Sequence, residues 1–119
     1  GIFGFSHRSP YVTSKWGVIG LMKSLAIEFG PYNVKVNAIC PGSVEGERLE
    51  RVIEAEVKSK GMTRDKIYQA YTEGTSMKKL IHSNDIADMA LFLSSSKSRL
   101  VSGQVIAVDG NTEVPDPKF

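Results

Sequence analysis

The first long apolar pattern in the chain runs through Tyr11, Lys15, Val18, Met22, Leu25 and Phe29. Their steps of four and three put them on one stripe of a helix. Ser9 is placed to cap that helix, Pro10 suits its first position, and Gly30-Pro31 supplies the stop. Residues 1–8, with glycines and phenylalanines in no period, read as loop. Beyond the helix, Val34–Cys40 is β-branched and mostly apolar, and Pro41-Gly42 halts it, which predicts a buried strand ending in a turn. From Glu45 to Lys60 the apolar positions Leu49, Val52, Ile53 and Val57 recur at helical spacing, with Glu47/Arg51 and Glu54/Lys58 as opposite charges one turn apart. Gly61 ends this helix, Thr63 caps a shorter one carrying Ile67, Tyr68 and Tyr71, and Gly74-Thr75-Ser76 breaks the pattern again. A further helix, capped by Ser83 or Asn84, runs to about Ser94 with Ile86, Met89, Ala90 and Leu93 inward. Gln104–Val108 predicts a second buried strand, closed by Asp109-Gly110-Asn111, after which Val114-Pro115-Asp116-Pro117 runs over the surface.

Helices alternating with buried strands define an α/β chain. Two strands joined by a long helical crossover should lie parallel with a right-handed connection. A parallel sheet needs helices on both faces and further strands, so two strands and about four helices read as part of a larger sheet, a single partial domain over residues 1–119. The excursion over residues 45–80 leaves the C-terminal end of a strand, and it suits either a lid over a ligand or a plain connection.

Composition narrows the partners. At 119 residues and 41% hydrophobic content the chain is at most one small domain. A net charge of +2, with bases interleaved among acids, argues against nucleic acid. Cys40 is the single cysteine, which excludes an internal disulfide and a thiolate metal cluster. His7 and His82 lie far apart without companion ligands, which points to surface or capping roles and to no metal. No apolar run spans a bilayer and no leader precedes Gly1, so the expectation is a cytoplasmic protein without a membrane partner.

The candidate chemistry is the pair Tyr11 and Lys15, four residues apart at the head of the first helix. A fixed cation one turn away favours ionisation of a phenol, and such a phenol can trade a proton with a carbonyl or alcohol oxygen. The plain alternative is a lysine stem lying along apolar surface with its head in water. Spacing alone leaves both open.

Four segments decide more when taken together: Tyr11-Val12-Thr13-Ser14-Lys15; Val34-Lys35-Val36-Asn37-Ala38-Ile39-Cys40-Pro41-Gly42; Asn84-Asp85-Ile86-Ala87 leading to Leu91-Phe92-Leu93-Ser94-Ser95; and Ser102-Gly103-Gln104 through Val108-Asp109-Gly110. In this order and spacing the chain resembles the C-terminal half of a short-chain dehydrogenase/reductase. The resemblance covers nearly the whole chain from Pro10 to Gly110. It implies the C-terminal portion of a Rossmann-type sheet and an oxidoreductase using NAD or NADP on a small-molecule carbonyl or alcohol. Tyr11 would be the general acid/base and Lys15 the partner of the nicotinamide ribose. Pro41, Gly42 and Ser43 would line the nicotinamide, with Val44 at its carboxamide, and residues 45–80 would be the substrate region. The family builds subunit interfaces from the tyrosine-bearing helix and the last strand, which implies a homo-oligomer.

The sequence also departs from the family. Gly46 stands where the family carries a threonine that touches the cofactor. The catalytic serine would fall before Gly1, and Ser6 and Ser9 are too close to Tyr11 to replace it. The glycine-rich turn that receives the pyrophosphate is missing, as is the residue that selects between the two cofactors. The expectation is therefore a chain that by itself binds no dinucleotide, self-associates through an uncovered apolar face or is poorly stable, and is either half of an oxidoreductase or a non-enzymatic remnant serving as an interaction module.

Overall fold

Twenty-one residues, Ser9–Phe29, form the longest element, helix α1, in the computed structural model, which describes residues 2–113. A 3-10 turn over Gly30–Tyr32 ends it, and Asn33 then takes a left-handed conformation at φ 60°. The predicted cap moves by one residue: Arg8 occupies the N-cap position without a side-chain hydrogen bond, and Ser9 is already helical. The buried face also differs from the predicted stripe. Ile19 and Met22 are buried, with Val12, Leu25 and Ala26 half-buried, whereas Val18 is 58% exposed. Trp16, Val18, Leu21, Ile27 and Phe29 put apolar surface around most of the helix, a pattern that belongs to a helix covered on several sides.

Strand β1 is Ala38–Pro41 and strand β2 is Val105–Val108, paired in parallel with Ala38 opposite Val105 and Pro41 opposite Val108. Both are shorter than predicted. Residues 34–37 lie outside the ladder, and side chains carry part of the bonding there: Val36 N–H donates to Ser102 Oγ at 3.1 Å, while the Asn37 side chain bonds the opposite backbone, Nδ2 donating to the Val101 carbonyl at 2.9 Å and Oδ1 accepting from the Gln104 N–H at 3.1 Å. The sheet among the described residues has these two strands only.

Between them run α2 (Glu47–Lys60), α3 (Arg64–Glu73) and α4 (Ser83–Ser94). Thr63 caps α3 as predicted, its hydroxyl accepting from the Lys66 N–H at 3.3 Å. His82, rather than Ser83 or Asn84, holds the N-cap of α4, and the Asp85 carboxylate accepts the His82 N–H at 2.9 Å. Ile53 of α2 and Ile67 of α3 are fully buried and lock the pair together. Neither Glu47/Arg51 nor Glu54/Lys58 closes to an ion pair among the described residues. The charges instead bridge the two helices, with one guanidinium nitrogen of Arg64 shared between the oxygens of Glu50 at 2.7 and 2.6 Å. That hydrogen bond, and then the Glu50 charge, raises Arg64 above its ordinary pKa.

A latch joins the end of α4 to the approach to β1. Lys35 Nζ donates to the carbonyls of Ser95 and Ser98 at 3.1 Å each and to Ser98 Oγ at 2.9 Å. Ser98 is 1% exposed, while Lys35 and Ser95 are half-buried.

The radius of gyration is 16.6 Å, against about 13.5 Å for a compact domain of this length. The accessible surface is 8217 Å², roughly 1,900 Å² more than a folded monomer of this size exposes. The two-stranded sheet leaves much of the 21-residue helix uncovered, with Trp16, Val18, Leu21 and Ile27 exposed. No helix among the described residues is long and apolar enough to cross a membrane. The surface course predicted for Val114-Pro115-Asp116-Pro117 lies outside the described residues.

Candidate active site

The turn after β1 and the head of α1 meet at a crevice of about 210 Å³. Pro41, Gly42 and Ser43 form one side, and Tyr11 forms another together with Ile2, Phe3 and Phe5 from the preceding loop. Tyr71 and Thr75, from the end of α3 and just beyond it, close a third side, and Cys40, Asp109 and Thr112 complete the floor. The crevice exists because Gly42 lets two chain segments touch. A Cβ at residue 42 would stand 2.8 Å from the Asp109 Cβ and 2.9 Å from its Cα, so any larger residue would push the turn away from the end of β2.

Tyr11 is 39% exposed, and its hydroxyl makes no hydrogen bond among the described residues. Its ring is held from several directions. The Arg8 guanidinium carbon lies 4.4 Å from the ring centre and Lys15 Nζ lies 5.5 Å from it, while Phe5 meets it edge-on at 6.4 Å. Aromatic faces attract cations through the ring quadrupole, so these contacts orient the ring while leaving the oxygen uncommitted.

Val44 forms an isolated parallel bridge with Ile81, made by the Ile81 N–H donating to the Ser43 carbonyl at 3.0 Å and the Glu45 N–H donating to the Ile81 carbonyl at 2.8 Å. In extended chain, successive residues point their N–H and C=O to opposite sides. Because Ser43 and Glu45 bond toward Ile81, the Val44 N–H and C=O face the other way, and neither has a partner among the described residues. A donor and an acceptor side by side in one plane match a primary carboxamide, so the chain's own backbone fits the amide end of a nicotinamide. The departure at Gly46 has a local cause. It sits at φ 141° as the N-cap of α2, where a β-branched threonine would be strained.

The structure thus brings Tyr11, Pro41, Gly42 and Ser43 to one crevice, with Lys15 against the Tyr11 ring and Val44 just past the turn. Sequence reading missed Arg8, Tyr71, Thr75 and Asp109. Arg8 stands one turn before Tyr11, a spacing that gave the signal; Tyr71 had been read only as part of an apolar helical face. A larger hollow of about 900 Å³ lies between α4, residues 77–82 and the end of β2. Its rim is tied by Glu45, which approaches His82 Nδ1 at 3.2 Å and accepts from the Tyr68 hydroxyl at 3.5 Å. Volume does not decide between the two: the smaller crevice holds the uncommitted phenol beside the proline-glycine turn.

Comparison with known proteins agrees with this geometry. Residues 1–111 match the family described as enoyl-(acyl carrier protein) reductase. The chain is 36% identical over 111 residues to the uncharacterized oxidoreductase YxjF of Bacillus subtilis (strain 168), covering 92% of this chain and 43% of that protein. It is 31% identical over 111 residues to the D-beta-hydroxybutyrate dehydrogenase of Rhizobium meliloti (strain 1021), again covering 92% and 43%. Among solved structures, a short chain dehydrogenase family protein from Francisella tularensis subsp. tularensis SCHU S4 superposes with a TM-score of 0.85 at 26% identity, covering 92% of this chain and 45% of that one. The chain spans less than half the length of these relatives, and its parallel strand pair, flanking helices and tyrosine-bearing helix are the C-terminal part of their architecture. The chain belongs to the short-chain dehydrogenase/reductase family.

Proposed function

We propose that this chain supplies the proton-transfer and nicotinamide-facing half of an NAD- or NADP-dependent oxidoreductase acting on a small-molecule carbonyl or alcohol. The observation that carries the reading is the crevice in which the free Tyr11 hydroxyl meets the Pro41-Gly42-Ser43 turn, one residue before the unpaired backbone of Val44. Nicotinamide dinucleotide, when bound, supplies or accepts the hydride. Pro41, Gly42, Ser43 and Val44 would hold its amide end and Lys15 its ribose. In reduction the Tyr11 hydroxyl gives its proton to the substrate oxygen, and in oxidation the tyrosine oxygen takes the proton back from the alcohol.

The remaining parts, a serine beside the tyrosine and a glycine-rich turn for the pyrophosphate, belong in this reading to polypeptide beyond the 119 residues. The roughly 1,900 Å² of excess surface is more than twice the roughly 800 Å² that one partner gives to a standard protein interface, and it supports a need for covering chain, whether the rest of the domain or a second copy. The same surface supports a second reading, in which the chain is a non-enzymatic remnant that pairs through α1 and the last strand.

The test is NAD(P)H oxidation by the product of the complete reading frame, using a panel of aldehydes and ketones. Tyr11→Phe should lower kcat by about 10²–10⁴-fold with the fold intact. The 119-residue chain alone should give no saturable change in NADH fluorescence. Wild-type turnover by Tyr11→Phe would overturn the catalytic assignment. Absence of turnover from a complete, folded protein would favour the remnant.

A further inference from the structure

Arg8 is poorly suited to the place it holds at the start of α1. It occupies the N-cap, where a short hydroxyl or amide side chain would accept a backbone N–H, and its own side chain makes no capping bond. The macrodipole puts positive charge at this end of the helix, and no acid stands in the first turn to offset the guanidinium. Nor does that guanidinium enter an ion pair or hydrogen bond among the described residues. Helix formation gives no reason for a cation at residue 8.

Its contacts are with rings. The guanidinium carbon lies 4.4 Å from the centre of the Tyr11 ring and 5.8 Å from that of Phe5, and these two rings meet edge-on with their planes 74° apart. Phe5 and Tyr11 both line the crevice. Helical side chains lean toward the N-terminus, so Tyr11 lies over the turn that Arg8 opens. Turning the ring about its own axis leaves the phenol oxygen in place, whereas a change at χ1 swings that oxygen away and forfeits the contact with Arg8. Among the described residues no hydrogen bond at the hydroxyl opposes such a swing. The other cation, Lys15, is farther from the ring at 5.5 Å and is the one assigned to the nicotinamide ribose. Arg8 is thus the closer of the two and the one without a second task.

We propose that Arg8 is a positioning residue for Tyr11: its guanidinium, held against the Tyr11 ring and beside Phe5, fixes the side-chain rotamer in which Tyr11 lines the crevice, at a cost to the start of α1. The inference rests on Tyr11 being the proton-transfer group. Arg8 is not among the lining residues, and in this account it touches neither substrate nor cofactor and acts through Tyr11.

The experiment uses the product of the complete reading frame with Arg8→Gln, Arg8→Asn and Arg8→Lys, each measured for thermal melting and for kcat and KM on the best ketone of the panel above. Loss of the cation in Arg8→Gln and Arg8→Asn should lower kcat by about 10-fold, while KM for ketone and for NAD(P)H changes by less than about twofold. Arg8→Lys keeps a cation within reach of the ring and should hold kcat to within about threefold of wild type. Arg8→Asn supplies a capping side chain, so it should melt at or above the wild-type temperature while being the slower enzyme. A purely structural arginine would not move stability and turnover in opposite directions. Wild-type kcat in Arg8→Gln would overturn the proposal, as would a kcat loss that tracks a lowered melting temperature in both neutral variants. A raised KM with kcat unchanged would make Arg8 a substrate contact and overturn it too. If the wild-type protein reduces no ketone, the redox reading fails separately, and proton–carbon NMR of protein labelled at tyrosine decides the matter, with Tyr11→Phe identifying the Tyr11 ring signal. A ring signal that shifts in Arg8→Gln and returns in Arg8→Lys supports the positioning, and one that is the same in every variant sinks it.

Discussion

Helix α1 buries Ile19 and Met22 over 21 residues, while the stretch from Lys35 to Val108 is cross-fastened by the Lys35–Ser98 latch, the parallel strand pair and the Ile53–Ile67 contact. Among the described residues one long-range side-chain hydrogen bond holds α1, from Lys23 Nζ to the Gly103 carbonyl at 2.9 Å. Trp16, Val18, Leu21 and Ile27 remain exposed on it. The contrast separates two sources of stability. The β1–α4–β2 region is tied together by hydrogen bonds between elements distant in sequence. Helix α1 is long and regular, yet its apolar circumference is complete only when further chain covers it.

The largest expected effect comes from breaking the well-fastened region. Ser98→Val removes the hydroxyl that accepts from Lys35 and leaves part of a half-buried ammonium's bonding unmet; we expect a loss of about 2–3 kcal/mol, read as a lowered urea midpoint. A midpoint unchanged by Ser98→Val would mean that the latch is not what holds the region.

Leu21→Glu then tests the other side of the contrast. In the 119-residue chain Leu21 is 58% exposed, and its replacement should change stability by less than about 0.5 kcal/mol. In the product of the complete reading frame the same change should cost about 2 kcal/mol or more, because a charge would then be buried against covering chain. Equal effects in the two contexts would show that this flank is solvent-facing in both.

The smallest effect belongs to Arg64, which is exposed and paired with Glu50. Its raised pKa means that its contribution is fully present below the ordinary arginine range and is lost only as pH rises beyond it, so Arg64 itself adds no pH dependence near neutrality. Arg64→Ala should leave the urea midpoint within error at high salt. A salt-independent shift would show that the α2–α3 bridge does more than decorate the surface.

Much of the fold was legible because local pattern and local chemistry agree. Thr63 caps α3, Gly30-Pro31 stops α1, and the helical crossover makes the strands parallel. Where the reading slipped, distant groups intervened. At residues 34–37 Ser102 takes the Val36 N–H and the Asn37 side chain bonds the backbone of Val101 and Gln104 in place of ladder bonds, and the buried side of α1 falls at Ile19 and Met22.

Tyr11 and Lys15 stand out in sequence by their spacing, and Pro41, Gly42, Ser43 and Val44 are named by the family resemblance; the structure places Tyr11, Pro41, Gly42 and Ser43 in one crevice. Tyr71 and Asp109 were not visible in sequence, since the first reaches the crevice by the docking of α3 and the second by the contact that Gly42 permits. The sequence by itself determined where helices and strands form, that the sheet is parallel, and that a phenol and an ammonium lie one turn apart; these depend on dihedral preference and periodicity along a few residues. Tertiary structure alone decided which face of α1 is covered, that the Val44 N–H and C=O have no partner among the described residues, and that Tyr71 and Asp109 line the same crevice as Tyr11. Those are contacts between segments tens of residues apart, and no local rule fixes them.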